Sequence, residues 1–310
     1  MNWVKQGRIF HVENRLSWMV HHAALPVPDL VSESCLRIYF APRDPDGRSR
    51  IACLDVDPRD PSTVLAIRDE PVLDLGPLGT FDDCGTMPMC VVDVGRERWL
   101  YYQGWNVRGT VPYHNSIGLA VSSDGGATFA RRHEGPVMDR SATDPYFAIT
   151  PFVLREGGTW RMWYGSGRGW VVVDGRPEPV ADIRHAESPD GLRWTPGPTC
   201  IAPTQTSGTV VRPWVVREGD LYRMWYSYRD SHGFRTDPTA SYRIGYAESS
   251  DGLDWVRKDD DVGIDTSDDG WDSLMIEYPA IYVHDGVRHM LYNGNGFGES
   301  GIGHATYEAR

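Results

Sequence analysis

A lone carboxylate set in an apolar strand is a candidate proton donor. Glu277 is such a residue, enclosed by Met275, Ile276, Tyr278 and Pro279, and burial there pushes a carboxyl toward general-acid range. A second carboxylate is available at Asp82-Asp83, ahead of Cys84-Gly85-Thr86-Met87-Pro88. Neighbours on a strand point to opposite faces, so one of the two faces inward; Asp83 is read as the base or nucleophile and Asp82 as a turn cap. His22 and His114 are candidates for proton transfer, with His21 as the outward neighbour of His22. Arg212 and Tyr278 each stand directly before a proline, and Arg212 suits a carboxylate, a phosphate or a sugar hydroxyl. Asp144 and Tyr146 hold the corresponding stretch one repeat earlier. Trp105, Asn106, Tyr113 and Asn115 combine aromatic faces with amides, which suits a polyhydroxylated ligand held by stacking and directed hydrogen bonds. Arg43-Asp44 and Arg229-Asp230 occupy equivalent places in two repeats, so Arg43 and Arg229 serve either as ligand contacts or as loop anchors. No metal-ligand spacing occurs, and neither a metal nor a cofactor is expected.

These residues are ordered by an internal repeat. Arg37-Ile38-Tyr39-Phe40, Trp99-Leu100-Tyr101-Tyr102, Arg161-Met162-Trp163-Tyr164, Arg223-Met224-Trp225-Tyr226 and His289-Met290-Leu291-Tyr292 recur at intervals of 62, 62, 62 and 66 residues. Pro26, Pro88, Pro151, Pro213 and Pro279 open an apolar run upstream of each, and Ile51, Ile117, Ile183, Ile244 and Ile302 open one downstream. Asp-Gly turns follow at Asp124, Asp190 and Asp251, where glycine's tolerance of positive φ suits a tight reversal. Each unit of about 60 residues then holds four strands, the size of a propeller blade. No segment shows the 3.6-residue period of a helix. The expected fold is all-β: one domain over 1–310, a five-bladed β-propeller of four-stranded antiparallel blades. The last unit ends after its third strand, so residues 7 to 12 are expected to pair with Ile302 to Tyr307 and close the ring, removing an exposed edge.

Composition narrows the partners. Of 310 residues, 31 are Lys or Arg and 43 Asp or Glu, a net charge of −12 that disfavours nucleic acid and anionic lipid. Twelve Trp and 15 Tyr against 8 Phe favour strands and flat stacking surfaces. No apolar run is long enough for a membrane span or a leader, so a cytoplasmic protein is expected. The five cysteines are scattered, which indicates free thiols and no disulfide framework.

Five Pro-led units with a Met-x-Tyr second strand resemble the propellers of glycoside hydrolase families 32, 43, 68 and 130, over essentially the whole chain. Ser122-Ser123-Asp124-Gly125-Gly126-Ala127-Thr128-Phe129 resembles the Asp-box of sialidase propellers, which is a turn and not a site. Pro112-Tyr113-His114-Asn115-Ser116-Ile117-Gly118 and Gly270-Trp271-Asp272-Ser273-Leu274-Met275-Ile276-Glu277-Tyr278-Pro279 are similar to uncharacterised glycosidase-like propellers of bacterial biosynthetic loci. The resemblance implies an axial pocket that takes a small sugar or glycoside. One departure bears on mechanism: family 43 carries its base as Asp directly before the first-strand proline, and this chain has Leu25, Met87, Thr150, Arg212 and Tyr278 there. Three readings follow. The first is a carbohydrate-active enzyme with Glu277 as acid and Asp83 as base or nucleophile. The second is a non-hydrolytic cyclase, lyase or transferase using His22, His114 and Glu277, and the third a sugar-binding propeller without catalysis.

Overall fold

The apolar alternation produces 20 strands in the computed structural model, which describes residues 1–204 and 208–308. After β1 (Trp3–Phe10), the first repeat supplies β2 (His21–Ser32), β3 (Cys35–Arg43), β4 (Ala52–Val56) and β5 (Val64–Ile67). The second supplies β6 (Gly85–Val94), β7 (Glu97–Val107), β8 (Tyr113–Ser122) and β9 (Ala130–Arg131). The third supplies β10 (Ala148–Glu156), β11 (Thr159–Val173), β12 (Arg176–Ser188) and β13 (Thr195–Ile201), and the fourth β14 (Gly208–Glu218), β15 (Leu221–Asp230), β16 (Arg243–Ser249) and β17 (Val256–Arg257). β18 (Glu277–His284), β19 (Val287–Asn293) and β20 (Ile302–Tyr307) belong to the fifth.

Within each repeat the strands pair antiparallel in chain order, and β1 lies on β20. The third and fourth repeats share one sheet, because a single parallel bridge, Ala181 to Thr209, joins β12 to β14. The N-terminal strand runs over residues 3 to 10, ahead of the 7-to-12 span expected, with Trp3 opposite Tyr307 and Phe10 opposite Ile302. The polar Lys5-Gln6-Gly7 run hides its start. The anchors are tertiary: Trp3 meets the Trp225 ring edge-on at 6.0 Å, and Lys5 pairs with Asp272 at 2.7 Å.

The aromatic pair on the second strands of the first four units, reduced to Tyr292 in the fifth, does two separate jobs. The second aromatic binds within its own unit: Tyr102 donates to Asp82 (2.9 Å), Tyr164 to Asp144 (3.1 Å), Tyr292 to Asp272 (3.0 Å) and Tyr226 to Asp259. A cation completes each group, namely Arg131, Arg184, Lys5 and Arg257. Phe40 has no hydroxyl, so the first unit lacks the device. The first aromatic reaches the next unit: Tyr39 donates to the Gly126 carbonyl, Tyr101 to that of Gly191 and Trp163 to that of Gly252, each at 2.8 Å. Those carbonyls are held out by Ser-x-Asp turns, in which Asp124 and its equivalents accept the backbone N–H groups two to four residues on. Tyr282 links the fifth unit back to the first through the Pro58 carbonyl, at 3.2 Å.

The residues before the inner-strand prolines share one conformation. Leu25, Thr150, Arg212 and Tyr278 have φ of 58°, 48°, 57° and 57°, the left-handed region that costs a non-glycine residue about 1–3 kcal/mol. Proline disfavours right-handed helix at the preceding residue, and each sheet has a register shift here, a bulge that redirects a side chain. A neighbouring unit holds the strained N–H in place. Leu25 donates to Asn293 Oδ1 (2.7 Å), Thr150 to Gln103 Oε1 (3.3 Å) and Tyr278 to Ser227 Oγ (2.8 Å). Those acceptors each follow the last residue of the aromatic motif. In the third unit that place is Gly165, which has no acceptor, and Arg212 donates to Thr150 Oγ1 instead (3.0 Å). In the first unit it is Ala41, and the residue it would hold, Met87, keeps ordinary φ.

Candidate active site

The inner strands converge on a cavity of about 360 Å³. Four of the five pre-proline residues, Leu25, Met87, Thr150 and Tyr278, line it, so the redirected side chains form its floor. β8 contributes by simple alternation: Tyr113 and Asn115 face the cavity, while His114 and Ser116 lie behind. His114 is buried there against Asp139, with Nε2 to Oδ1 at 2.6 Å. Trp105 lines the cavity and donates to Ser49 Oγ at 3.0 Å. Its neighbour Asn106 points away and donates to the Thr80 carbonyl at 3.3 Å, fixing a loop.

Glu277 lies fully buried at the start of β18, beside Tyr278. Neither of its oxygens has a hydrogen-bond partner of good geometry. Loss of water raises its pKa well above the ordinary carboxyl value, a shift that Tyr278, Arg229 and Arg43 oppose without cancelling. Arg43 and Arg229 both line the cavity. Burial depresses the pKa of Arg43 despite Tyr278, Glu299 and Glu277 nearby. Tyr113 is pushed up to about 12 by burial, and Tyr278 goes well above its usual value from burial and the neighbouring Glu277.

Several expected members stand elsewhere. Asp83 accepts from the Gly79 N–H (2.8 Å) and from the Cys84 thiol (3.3 Å), so it is the turn cap, while Asp82 is the inward residue committed to Tyr102, Arg131 and Thr80. The buried Tyr102–Arg131 pair decides that Asp82 is the carboxylate that turns in, and neither aspartate lines the cavity. Asp144 is saturated by Tyr164, Ser166 and Arg184 and does not reach the cavity. Tyr146 is 41% exposed on the outside of its loop. Arg212 is fully buried but is no ligand contact: Nη1 donates to the Met89 carbonyl (2.9 Å) and Nη2 to that of Pro26 (3.2 Å), tying the fourth unit to the second and first. His22 lies beside the floor, its Nδ1 2.5 Å from Nδ1 of His21. Burial, Arg43 and His21 lower its pKa to about 3, which keeps it neutral.

The sequence reading omitted part of the wall. Glu178, Arg176, Phe234, Arg235, Tyr242 and Phe297 all line the cavity. All but Phe297 lie in the long connections of the third and fourth units, which run from Tyr164 to Ile183 and from Tyr226 to Ile244, against Phe40 to Ile51 in the first. That excess length was the available signal. Glu178 is buried and accepts from Arg235 at 2.7 and 3.2 Å, with Arg176 at 3.3 Å. The Arg229 guanidinium stacks 3.7 Å above the Phe234 ring.

Fold and cavity together define a glycosidase-like propeller. A solved structure described as a glycoside hydrolase superposes at TM-score 0.78 over 99% of this chain and 92% of its own, at 17% identity. A thermostable family-43 glycoside hydrolase gives 0.70 over 96% and 93%, also at 17%, and the Bombyx mori family-32 β-fructofuranosidase BmSUC1 gives 0.61 over 97% and 61%, at 15%. By sequence, the chain belongs to the family of the uncharacterised Mycobacterium tuberculosis protein Rv1502, with which it is 44% identical over 310 residues, 99% of this chain and 100% of that protein. The uncharacterised protein MT1551 of a second strain of that species is related equally, at 44%. No protein-family model matches the chain.

Proposed function

We propose that the chain is a carbohydrate-active enzyme, a single five-bladed propeller whose axial cavity holds a small sugar or glycoside, with Glu277 as proton donor. The observation that carries this reading is a wholly buried carboxylate, both oxygens unpartnered, behind a cavity wall of tyrosines and arginines. A structural carboxylate in this protein looks different: Asp82, Asp144 and Asp272 are each saturated by a tyrosine and a cation. With burial raising its pKa, Glu277 can give its proton to a departing oxygen, directly or through the Tyr278 hydroxyl. Glu178 takes the place of Asp83 as the second carboxylate, since it lies in the cavity wall.

Its grip on Arg235 and Arg176 favours the second reading, a non-hydrolytic cyclase, lyase or transferase, which can do without a free carboxylate nucleophile; of the His22, His114 and Glu277 set read for it, His114 is spent on Asp139. Glu277→Gln, assayed on a panel of glycosides, separates a proton donor from a bystander. Turnover of alkyl glycosides, whose leaving group needs protonation, should fall by at least about 10²-fold, while dinitrophenyl glycosides should lose much less. Equal rates for variant and parent on alkyl glycosides would remove Glu277 from the reaction.

A further inference from the structure

The charge of the cavity is not explained by proton transfer. Four arginines line it, and Glu178 answers two of them, Arg235 and Arg176. Arg43 and Arg229 have no carboxylate within ion-pair distance among the described residues, and the Nε of each is buried without a partner. Both arginines line the same cavity. The remaining donors of Arg229 meet only neutral oxygens: the Asp230 carbonyl (3.2 Å), Ser231 Oγ (3.1 Å) and the Pro179 carbonyl (3.5 Å). Desolvating a guanidinium without a counter-charge is costly. It is all the less expected in a chain of net charge −12, which has carboxylates to spare. A buried positive excess beside aromatic faces fits an anionic ligand with a ring to stack.

We propose that the cavity selects a sugar bearing an anionic group, a carboxylate or a phosphate, held by Arg43 and Arg229 with the sugar ring against the aromatic wall of the cavity. This rests on the carbohydrate reading above and adds the substrate class to it. The same residues would discriminate against neutral sugars, because an unfilled arginine pair stays desolvated and unpaired when glucose occupies the site.

Calorimetric titration with glucuronate, a hexose monophosphate, glucose and inorganic phosphate tests it. One of the two anionic sugars should bind at least about 10-fold more tightly than glucose, and which one does so identifies the anionic group. Arg43→Met and Arg229→Met should each lose at least about 10-fold for that anion while changing glucose affinity little. Both variants should stay folded, since neither removes an ion pair. Equal affinity for glucose, undiminished anion binding by Arg43→Met, or binding of none of the probes would overturn the proposal. Inorganic phosphate binding as well as the hexose phosphate would overturn its sugar part. Neutral glycosides turned over in a Glu277-dependent way, with no anion binding, would sink the anion site and leave the enzyme reading intact. Arginine-dependent anion binding without turnover of any glycoside would do the reverse.

Discussion

Glu277 and Arg212 are both fully buried charged residues near the axis, and their hydrogen bonds separate their roles. Arg212 spends two donors on carbonyls of two other units, so Arg212→Met should orphan both carbonyls and lower stability by about 2–4 kcal/mol. Sugar affinity in the folded fraction should be unchanged. A large loss of affinity with no loss in denaturant midpoint would return Arg212 to the ligand-binding set. Glu277 behaves oppositely. Its folded pKa is raised, so the stability it contributes is present below its ordinary value and is lost as pH rises through the folded value. Glu277→Gln should therefore gain stability relative to the parent as pH rises from about 4.5 toward neutrality, read as a widening difference in Tm. A constant difference over that range would mean that Glu277 is ionised in the fold.

At the scale of the element, β1 carries the heaviest duty for its length. It gives β20 an outer partner and seats Trp3, 6% exposed, against Trp225 and Tyr307. In the preceding units the first aromatic of the motif finds a turn carbonyl in the next unit; Trp225 instead has ring contacts with Trp3 and Tyr246 and the Arg288 guanidinium over its ring, and its Nε1 has no hydrogen-bond partner among the described residues. Trp3→Ala should cost about 3–5 kcal/mol as a core truncation, and removal of residues 1 to 12 should cost more, since the ladder to β20 goes too. Unchanged melting after the deletion would show that the sheet closes without β1.

For the whole molecule, acid is the vulnerable direction. Burial lowers the pKa of His22 to about 3 and those of His185, His289 and His304 to about 4. His289 stacks between Tyr282 and His304, and both histidines are buried. A histidine with a depressed folded pKa contributes stability that is complete above its ordinary value near 6.5 and is lost as pH falls toward the folded value. Denaturant midpoints should therefore decline between about pH 6.5 and pH 4, each histidine adding a slope of up to about 1.4 kcal/mol per pH unit. His289→Gln should flatten the decline by about one proton. A flat midpoint over this range would mean that these rings are hydrated and charged in the fold.

The repeat of an aromatic pair, an upstream proline and a downstream isoleucine made the strand order of every unit legible before any coordinates, because strand periodicity and turn chemistry are local properties. The pairing of the N-terminus with Ile302–Tyr307 was legible for the same reason: the fifth unit lacked a strand and the N-terminus had one to offer. The burial of Glu277 could also be read locally, from a carboxylate among apolar neighbours. Which of Asp82 and Asp83 turns inward could not, since both flank the same turn and the choice belongs to Tyr102 and Arg131, 20 and 49 residues from Asp82. Arg212 looked like a ligand contact until Met89 and Pro26, 123 and 186 residues away, took its donors. Glu178, Arg235 and Tyr242 entered the wall through two long connections whose paths no periodicity constrains. Tertiary structure alone could therefore tell a charge that is satisfied from one left open, because hydrogen-bond partners in a ring of sheets come from neighbours in space that are remote in the chain.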